Sequence, residues 1–365
     1  MNQTKIGTLE AIMIIVSVVI IHTILSLPET IIDTTKSAAI LNVIYVSIIV
    51  FLFIYIICML FKKFSGMDLL DISEVLGGKI LKNIIGSIFI IYFIISSSLL
   101  LRNYAECLCI IDYPYTNIIF IIWFILLSAS YVSSLNFNSN FRTNLILIPF
   151  VLFSIIFLFV ANYNNFTLQR VFPVLGEGIY QTFITGLGNI SAFGGIVFLY
   201  FMPPLLKDTS KFKKIAFTSV LISAIYLILA IAIILFMFAF SQDIDEIMPL
   251  YSAAAYVEFG SFFQRLDSLF LLIWTLSFTC YLSIVIKFSI YIFRKITNIK
   301  EFKPIVFPFA FIIFAISLIP KNYAISNFYE TNIYPYLAIS LVFVLSFCIL
   351  LFAYLKKRKE GVSDE

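Results

Sequence analysis

The sequence predicts an all-α integral membrane protein of about ten transmembrane helices, and three observations carry that prediction. The chain is 62% hydrophobic and only 12% charged, with a mean hydropathy of +1.06. Soluble domains are about half apolar and about a quarter charged, so lipid must be the solvent for much of this surface. Continuous apolar runs near the roughly 20 residues that a helix needs to cross a bilayer recur ten times between charged breaks. Basic residues gather in every second connection, as they do in chains threaded back and forth through a membrane.

The runs lie near 8–32, 37–61, 83–111, 116–135, 143–162, 182–206, 214–240, 266–293, 303–320 and 332–355. The third and eighth are long enough to tilt or protrude, whereas the fourth, fifth and ninth are close to the minimum. A membrane β-barrel would show short alternating segments instead. With the N-terminus on the cytoplasmic side, the inner connections and termini hold 18 of the 24 basic residues and the outer loops hold four, Lys36, Arg170, Arg265 and Lys321. Arg102 and Lys287 fall within spans. The acids Asp243, Asp245, Glu246 and Glu258 fit an external loop, and both termini are placed inside. The run from Ala11 to Leu27 is too long for a signal-peptide core, and no small-residue cleavage site follows it, so it reads as an uncleaved first span.

Between the second and third spans, KKFSGMDLLDISEVLGGKILKN reads as a short amphipathic helix from Asp68 to Leu76, ended by Gly77 and Gly78. Its lysines suit an anionic leaflet. The five cysteines, Cys58, Cys107, Cys109, Cys280 and Cys348, all lie within spans and are odd in number, which argues against a disulfide framework. They read as small buried hydrophobes, and Cys107-x-Cys109 is a weak metal signal. No phosphate-binding loop, zinc spacing or nucleophile elbow occurs. With a lone histidine and no clustered carboxylates, the chain holds little acid–base machinery for an enzyme. No cofactor, metal or nucleic-acid partner is expected.

Helix breakers and polar groups at membrane depth are costly unless protein or water satisfies them, so they mark cavities. Two places carry them. In the first span, IIHTILSLPE brings His22, Thr23, Ile24, Leu25 and Ser26 before Pro28 and Glu29. Pro28 cannot donate to the carbonyl four residues back, which leaves a carbonyl near Ile24 facing inward. An ordinary kink with back-bonded hydroxyls is the alternative. In the sixth span, GLGNISAFGGIVFLYFMPP brings Asn189, Ser191, Ala192, Phe193, Gly194 and Gly195 together. Paired glycines permit unwinding, and close packing through small residues is the alternative. The first and sixth of ten spans correspond if the chain is two five-helix repeats of opposite topology, about 6–162 and 182–356 with a tail at 357–365, in one transmembrane domain. Breaks at corresponding positions of inverted repeats point to a binding site at the midplane. Half-helix N–H groups favour a carboxylate and freed carbonyls favour an ammonium, and an amino acid has both.

Other intramembrane charges are few. Arg102 and Glu106, four apart on the third span, can pair on one helical face, for structure or for gating. Lys287 in the eighth span either snorkels to the interface or places its ammonium where an ion sits in ion-coupled proteins of such folds. His22 reads as a hydrogen-bonded lining residue, with pH sensing as the alternative.

The order of features resembles the B subunits of spore germinant receptors, a branch of the amino acid–polyamine–organocation transporter superfamily. The pieces that match are LSLPE, LLDISEVLGGKILKNIIG, FPVLGEGI, AFGGIVFLYFMPPLLKD and RLDSLFLLIWTLSFTCYLSIVIKFSIYIF, spread across almost the whole chain. The resemblance implies a LeuT-like inverted five-plus-five repeat, a germinant pocket between the first, third, sixth and eighth spans, and residence in the spore inner membrane with A-type and C-type partner subunits. It implies recognition of a small amino acid, followed by signalling to those partners. Thr23 to Ser26 and Ala192 to Gly195 match the two unwound segments of the family. The chain departs from it at His22, where many relatives have glycine, and at Ile196, where an acid is common. A glycine-poor break leaves less room for a bound zwitterion. A permease moving an amino acid by alternating access would share the fold and pocket.

Overall fold

The computed structural model describes residues 5–135, 137–238, 248–257 and 266–362, with the side chains of 137–140 and 358–362 left aside. The acidic positions Asp243, Asp245, Glu246 and Glu258, and Arg265 with them, lie outside the described residues. The described residues are almost entirely helical. Seven helices are long and apolar enough to cross a membrane and three shorter apolar ones accompany them; these make ten spans, with Leu27–Lys62 divided at Lys36 and its first part, Leu27–Thr35, completing the span begun by Thr8–Ile24.

The first span runs as Thr8–Ile20, a tight 3-10 turn Ile21–Ile24, and Leu27–Thr35. Leu25, with φ −96° and ψ −144°, turns the chain out of the helix between the two halves. Pro28 sits at the start of the second half, where its missing N–H costs nothing. The second span is Ala39–Lys62. The amphipathic helix and the third span follow as Leu69–Ile111, broken at Gly77 and Gly78. Gly78 has φ +70°, a left-handed conformation that a side chain resists, and this lets the surface helix turn into the membrane. The fourth, fifth, seventh, eighth and ninth spans are Ile118–Ser134, Phe137–Ala161, Phe212–Met237, Leu266–Thr297 and Lys303–Ser317.

The sixth span departs from regular α-helical winding, loosely at its start and tightly after it. A π-turn at Tyr180–Ile184 leads into 3-10 winding over Thr185–Phe201, interrupted at Phe193 with φ −94° and ψ 15°. The tenth span begins at Tyr323, about nine residues before the apolar run at 332, because the polar stretch YAISNFYETN is itself helical. A charged residue, Glu330, interrupts the apolar pattern there while the helix continues.

The packing sorts the spans into two groups. The first, second, sixth and seventh pack on one another, and so do the third, fourth, eighth and ninth. The fifth lies against the first and eighth, and the tenth lies against the sixth and third. Exchanging each span with the one five positions later leaves this pattern unchanged, which is the signature of the inverted five-plus-five arrangement. The first and sixth spans cross where their breaks lie. A Cβ built on Gly195 would stand 2.6 Å from the Val18 carbonyl oxygen, so the two backbones meet with no room between them.

Candidate functional site

At the level of the two breaks the structure encloses a small cavity, lined by His22 and Val18 of the first span, Tyr92, Phe93 and Ser96 of the third, Gly194 and Gly195 of the sixth, Tyr281 and Val285 of the eighth, and Tyr334 of the tenth. Its volume is about 10 Å³, room for about one water molecule. The walls belong to both helix groups, so the cavity lies at their junction.

The chemistry of the site is aromatic on the inside and acidic at its edge. The His22 ring stacks on Tyr334 at 4.8 Å between centroids and 21° between planes, and meets the edge of Tyr281 at 6.4 Å. Tyr92 and Tyr334 lie nearly parallel at 6.4 Å. Their hydroxyls would stand 3.5 and 2.9 Å from a Cβ built on Gly194. The His22 Nδ1 lies 3.4 Å from Glu330 Oε1. The other Glu330 oxygen accepts from the side-chain amide of Asn103 on the third span.

The sequence-predicted residues fall into distinct places. His22, Gly194 and Gly195 line the cavity. Thr23, Ile24, Leu25 and Ser26 are buried in the first-span break beside it. The Thr23 hydroxyl donates back to the Ile20 carbonyl at 2.5 Å, and the Ser26 carbonyl accepts from the Thr30 N–H at 2.9 Å. Ser191, Ala192 and Phe193 are buried around the sixth-span break. Asn189 sits two turns away in a polar clasp. Its amide donates to Asn42 Oδ1 at 2.8 Å and to the Thr34 hydroxyl at 3.1 Å, and Asn42 donates in turn to the carbonyls of Thr182 and Gly186. The clasp binds the second half of the first span, Leu27–Thr35, and the second span to the sixth. Replacing Asn189 by Leu strands Asn42 Oδ1, and a loss of about 1–3 kcal/mol is expected in the thermal unfolding of the purified chain.

The Arg102–Glu106 pair forms on one face of the third span, with Nε and Nη2 both donating to Glu106 Oε1 at 3.0 and 2.6 Å. Lys287 is fully buried in the eighth span, one residue from Phe288, whose ring packs on Phe198. It does not snorkel, because its ammonium never reaches the surface of the bundle. The five cysteines carry free thiols. Among the described residues, no three His, Cys, Asp or Glu side chains converge as metal ligands would.

Sequence reasoning missed Tyr92, Ser96, Asn103, Tyr281, Glu330 and Tyr334. Tyr92, Ser96 and Asn103 carried a usable signal, since spacings of four and seven put them on one face of the third span. Glu330 carried a misleading one, because the apolar run of the tenth span begins only near 332 and leaves this charge outside it.

Comparison with known proteins agrees with this architecture. In three crystal structures of variants of the manganese transporter of Eremococcus coleocola, the match covers 94% of this chain and 77% of each of those chains, at 16% identity, with TM-scores of 0.56, 0.52 and 0.52. At that identity the likeness shows the fold, which this chain shares with a transporter. Spore germination protein B2 of Bacillus subtilis is 21% identical over 284 residues, which are 77% of each protein. The sequence model of the family described as spore germination protein matches residues 5–325. The chain is a multi-pass membrane protein that belongs to the spore germination protein family.

Proposed function

We propose that this chain is the germinant-sensing B-type subunit of a spore germination receptor. It binds a small amino acid or similar nutrient non-covalently where the first and sixth spans break. The observation that carries the reading is the cavity itself, enclosed at the junction of two helix groups in a chain of this family. A ligand too large for a water-sized space can enter only if the groups separate. Binding would therefore favour a separated arrangement over the closed one. A-type and C-type partner subunits in the spore inner membrane would detect that change. The basic connections, on the N-terminal side, are placed at the cytoplasmic face, with both termini.

The test has two arms. Spores lacking the chain are exposed to a panel of amino acids, and vesicles holding only the purified chain are assayed for uptake of the same compounds. Loss of response to one amino acid class without uptake is the expected result. Normal germination with clear accumulation in vesicles would make the chain a permease instead. Within the receptor reading, Gly194→Leu and Thr23→Leu should abolish the response while the protein still accumulates. The Tyr334 hydroxyl facing Gly194 is the far end of a side chain and can move aside. A normal response in both variants would remove the proposed pocket.

A further inference from the structure

We propose that the edge of the cavity on the tenth span is an ammonium-recognising subsite, with Glu330 the counter-ion for a primary ammonium group of the bound molecule. The inference rests on the sensing role proposed above and narrows its ligand to amine-bearing small molecules. Ser326, Glu330 and Tyr334 recur every four residues, so they share one face of the tenth span. That face turns toward the first-span break and the third span, since Glu330 meets His22 and Asn103 and Tyr334 stacks on His22.

Three features of this face select a cation with hydrogen-bond donors. The first is charge. A carboxylate only 7% exposed in the helical bundle is costly without a compensating cation. Among the described residues, His22 alone lies within ion-pair distance of it, and Arg102 is occupied by Glu106. At 3.4 Å the His22 contact is longer than the roughly 2.7–2.9 Å of a strong ion pair, so it offsets the carboxylate only weakly. The second is unused acceptors. Asn103 Oδ1 and Ser326 Oγ are buried without a hydrogen-bond partner among the described residues, and Asn103 is the residue whose amide already touches Glu330. An ammonium brings three donors, which a carboxylate, an amide oxygen and a hydroxyl oxygen can accept. The third is the aromatic wall. The phenol rings of Tyr92, Tyr281 and Tyr334 line the cavity beside His22, and electron-rich rings favour a nearby cation. An arriving ammonium would also compete with His22 for Glu330. His22 lines the cavity, so its release would begin to open that space.

The experiment uses the full chain in lipid nanodiscs, with binding read by calorimetry and by thermal shift. The probes are an amino acid panel, the N-acetyl derivative of each amino acid that binds, short alkylamines, ammonium chloride and sodium chloride. The expected result is that N-acetylation abolishes binding, and that Glu330→Gln weakens the amino acid at least tenfold while Glu330→Asp retains most of the affinity. If Glu330→Gln fails to fold, Asn103→Leu and Ser326→Ala, which remove acceptors and keep the carboxylate, should each weaken binding about threefold or more. Equal binding of the N-acetyl compounds, or full affinity in the folded variants, overturns the subsite and leaves the sensing role standing. Binding of the inorganic cations alone also overturns it. Amino acids that bind neither wild type nor variants, where deletion spores respond normally, would sink the sensing role itself.

Discussion

Gly195→Leu should prevent the chain from accumulating in membranes, or lower the unfolding free energy of what accumulates by at least about 3 kcal/mol. A Cβ at this position stands 2.6 Å from the Val18 carbonyl oxygen and 2.7 Å from both the Val18 carbonyl carbon and the Val19 nitrogen. Those are backbone atoms of a buried helix, which cannot rotate away as a side chain can, so the two spans must part at their crossing. Close approach through small residues is how helices associate in lipid, where no hydrophobic force drives them together. The neighbouring glycines predict different outcomes. Gly194 faces a tyrosine hydroxyl that can yield, so its substitution is expected to act on the pocket. Gly188 is exposed with nothing within 4 Å of a built Cβ, and Gly188→Ala should leave stability unchanged or raise it by up to about 1 kcal/mol. Thermal unfolding in detergent, with in-membrane abundance, checks all three. Wild-type stability in Gly195→Leu would mean that the crossing is looser than described.

These glycines show where the sequence was legible. GLGNISAFGG announced a weak point in the sixth span because glycine density and Pro203–Pro204 are local properties. Which glycine touches which helix is a long-range property, fixed by a first span some 180 positions away, and no spacing rule encodes it. The ten spans, the surface helix ended by Gly77 and Gly78, and the Arg102–Glu106 pair were readable for the same local reason. Glu330 was not. Hydropathy marks a charge as the end of a span, yet Glu330 sits inside the tenth because Asn103 and His22 receive it there. Polar residues such as Asn189 and Ser191 were grouped with the pocket by sequence proximity. The tight winding of the sixth span carries Asn189 out to the clasp with Asn42 instead.

Lys295→Met should destabilise the chain by about 3–5 kcal/mol, a far larger effect than its partial exposure suggests. The Lys295 ammonium lies 2.6 Å from Asp68 Oδ2 and 2.6 Å from Asp71 Oδ2, and the Tyr291 hydroxyl donates to Asp68 Oδ2 at 2.6 Å. Asp68 is fully buried and caps the surface helix by accepting from the Asp71 N–H at 3.0 Å. Removing the cation leaves two carboxylates side by side with one of them cut off from water. The exposed Lys211–Asp208 pair at 3.8 Å is the control, and Lys211→Met should leave the unfolding midpoint nearly unchanged. The clasp also predicts what will not change. It joins the third span's surface helix to the eighth span, two members of one helix group. On the same side Ile6 donates to the Leu205 carbonyl at 2.7 Å and accepts from the Lys207 N–H at 2.9 Å, joining the first and sixth spans of the other group. Each tie stiffens one group internally and neither crosses between the groups, so the motion that opens the cavity remains free. Ligand affinity in Lys295→Met should therefore stay within about threefold of wild type while the unfolding midpoint falls. A large change in affinity with unchanged stability would instead make this clasp a gate, and the ligand would then have to reach the cavity past it.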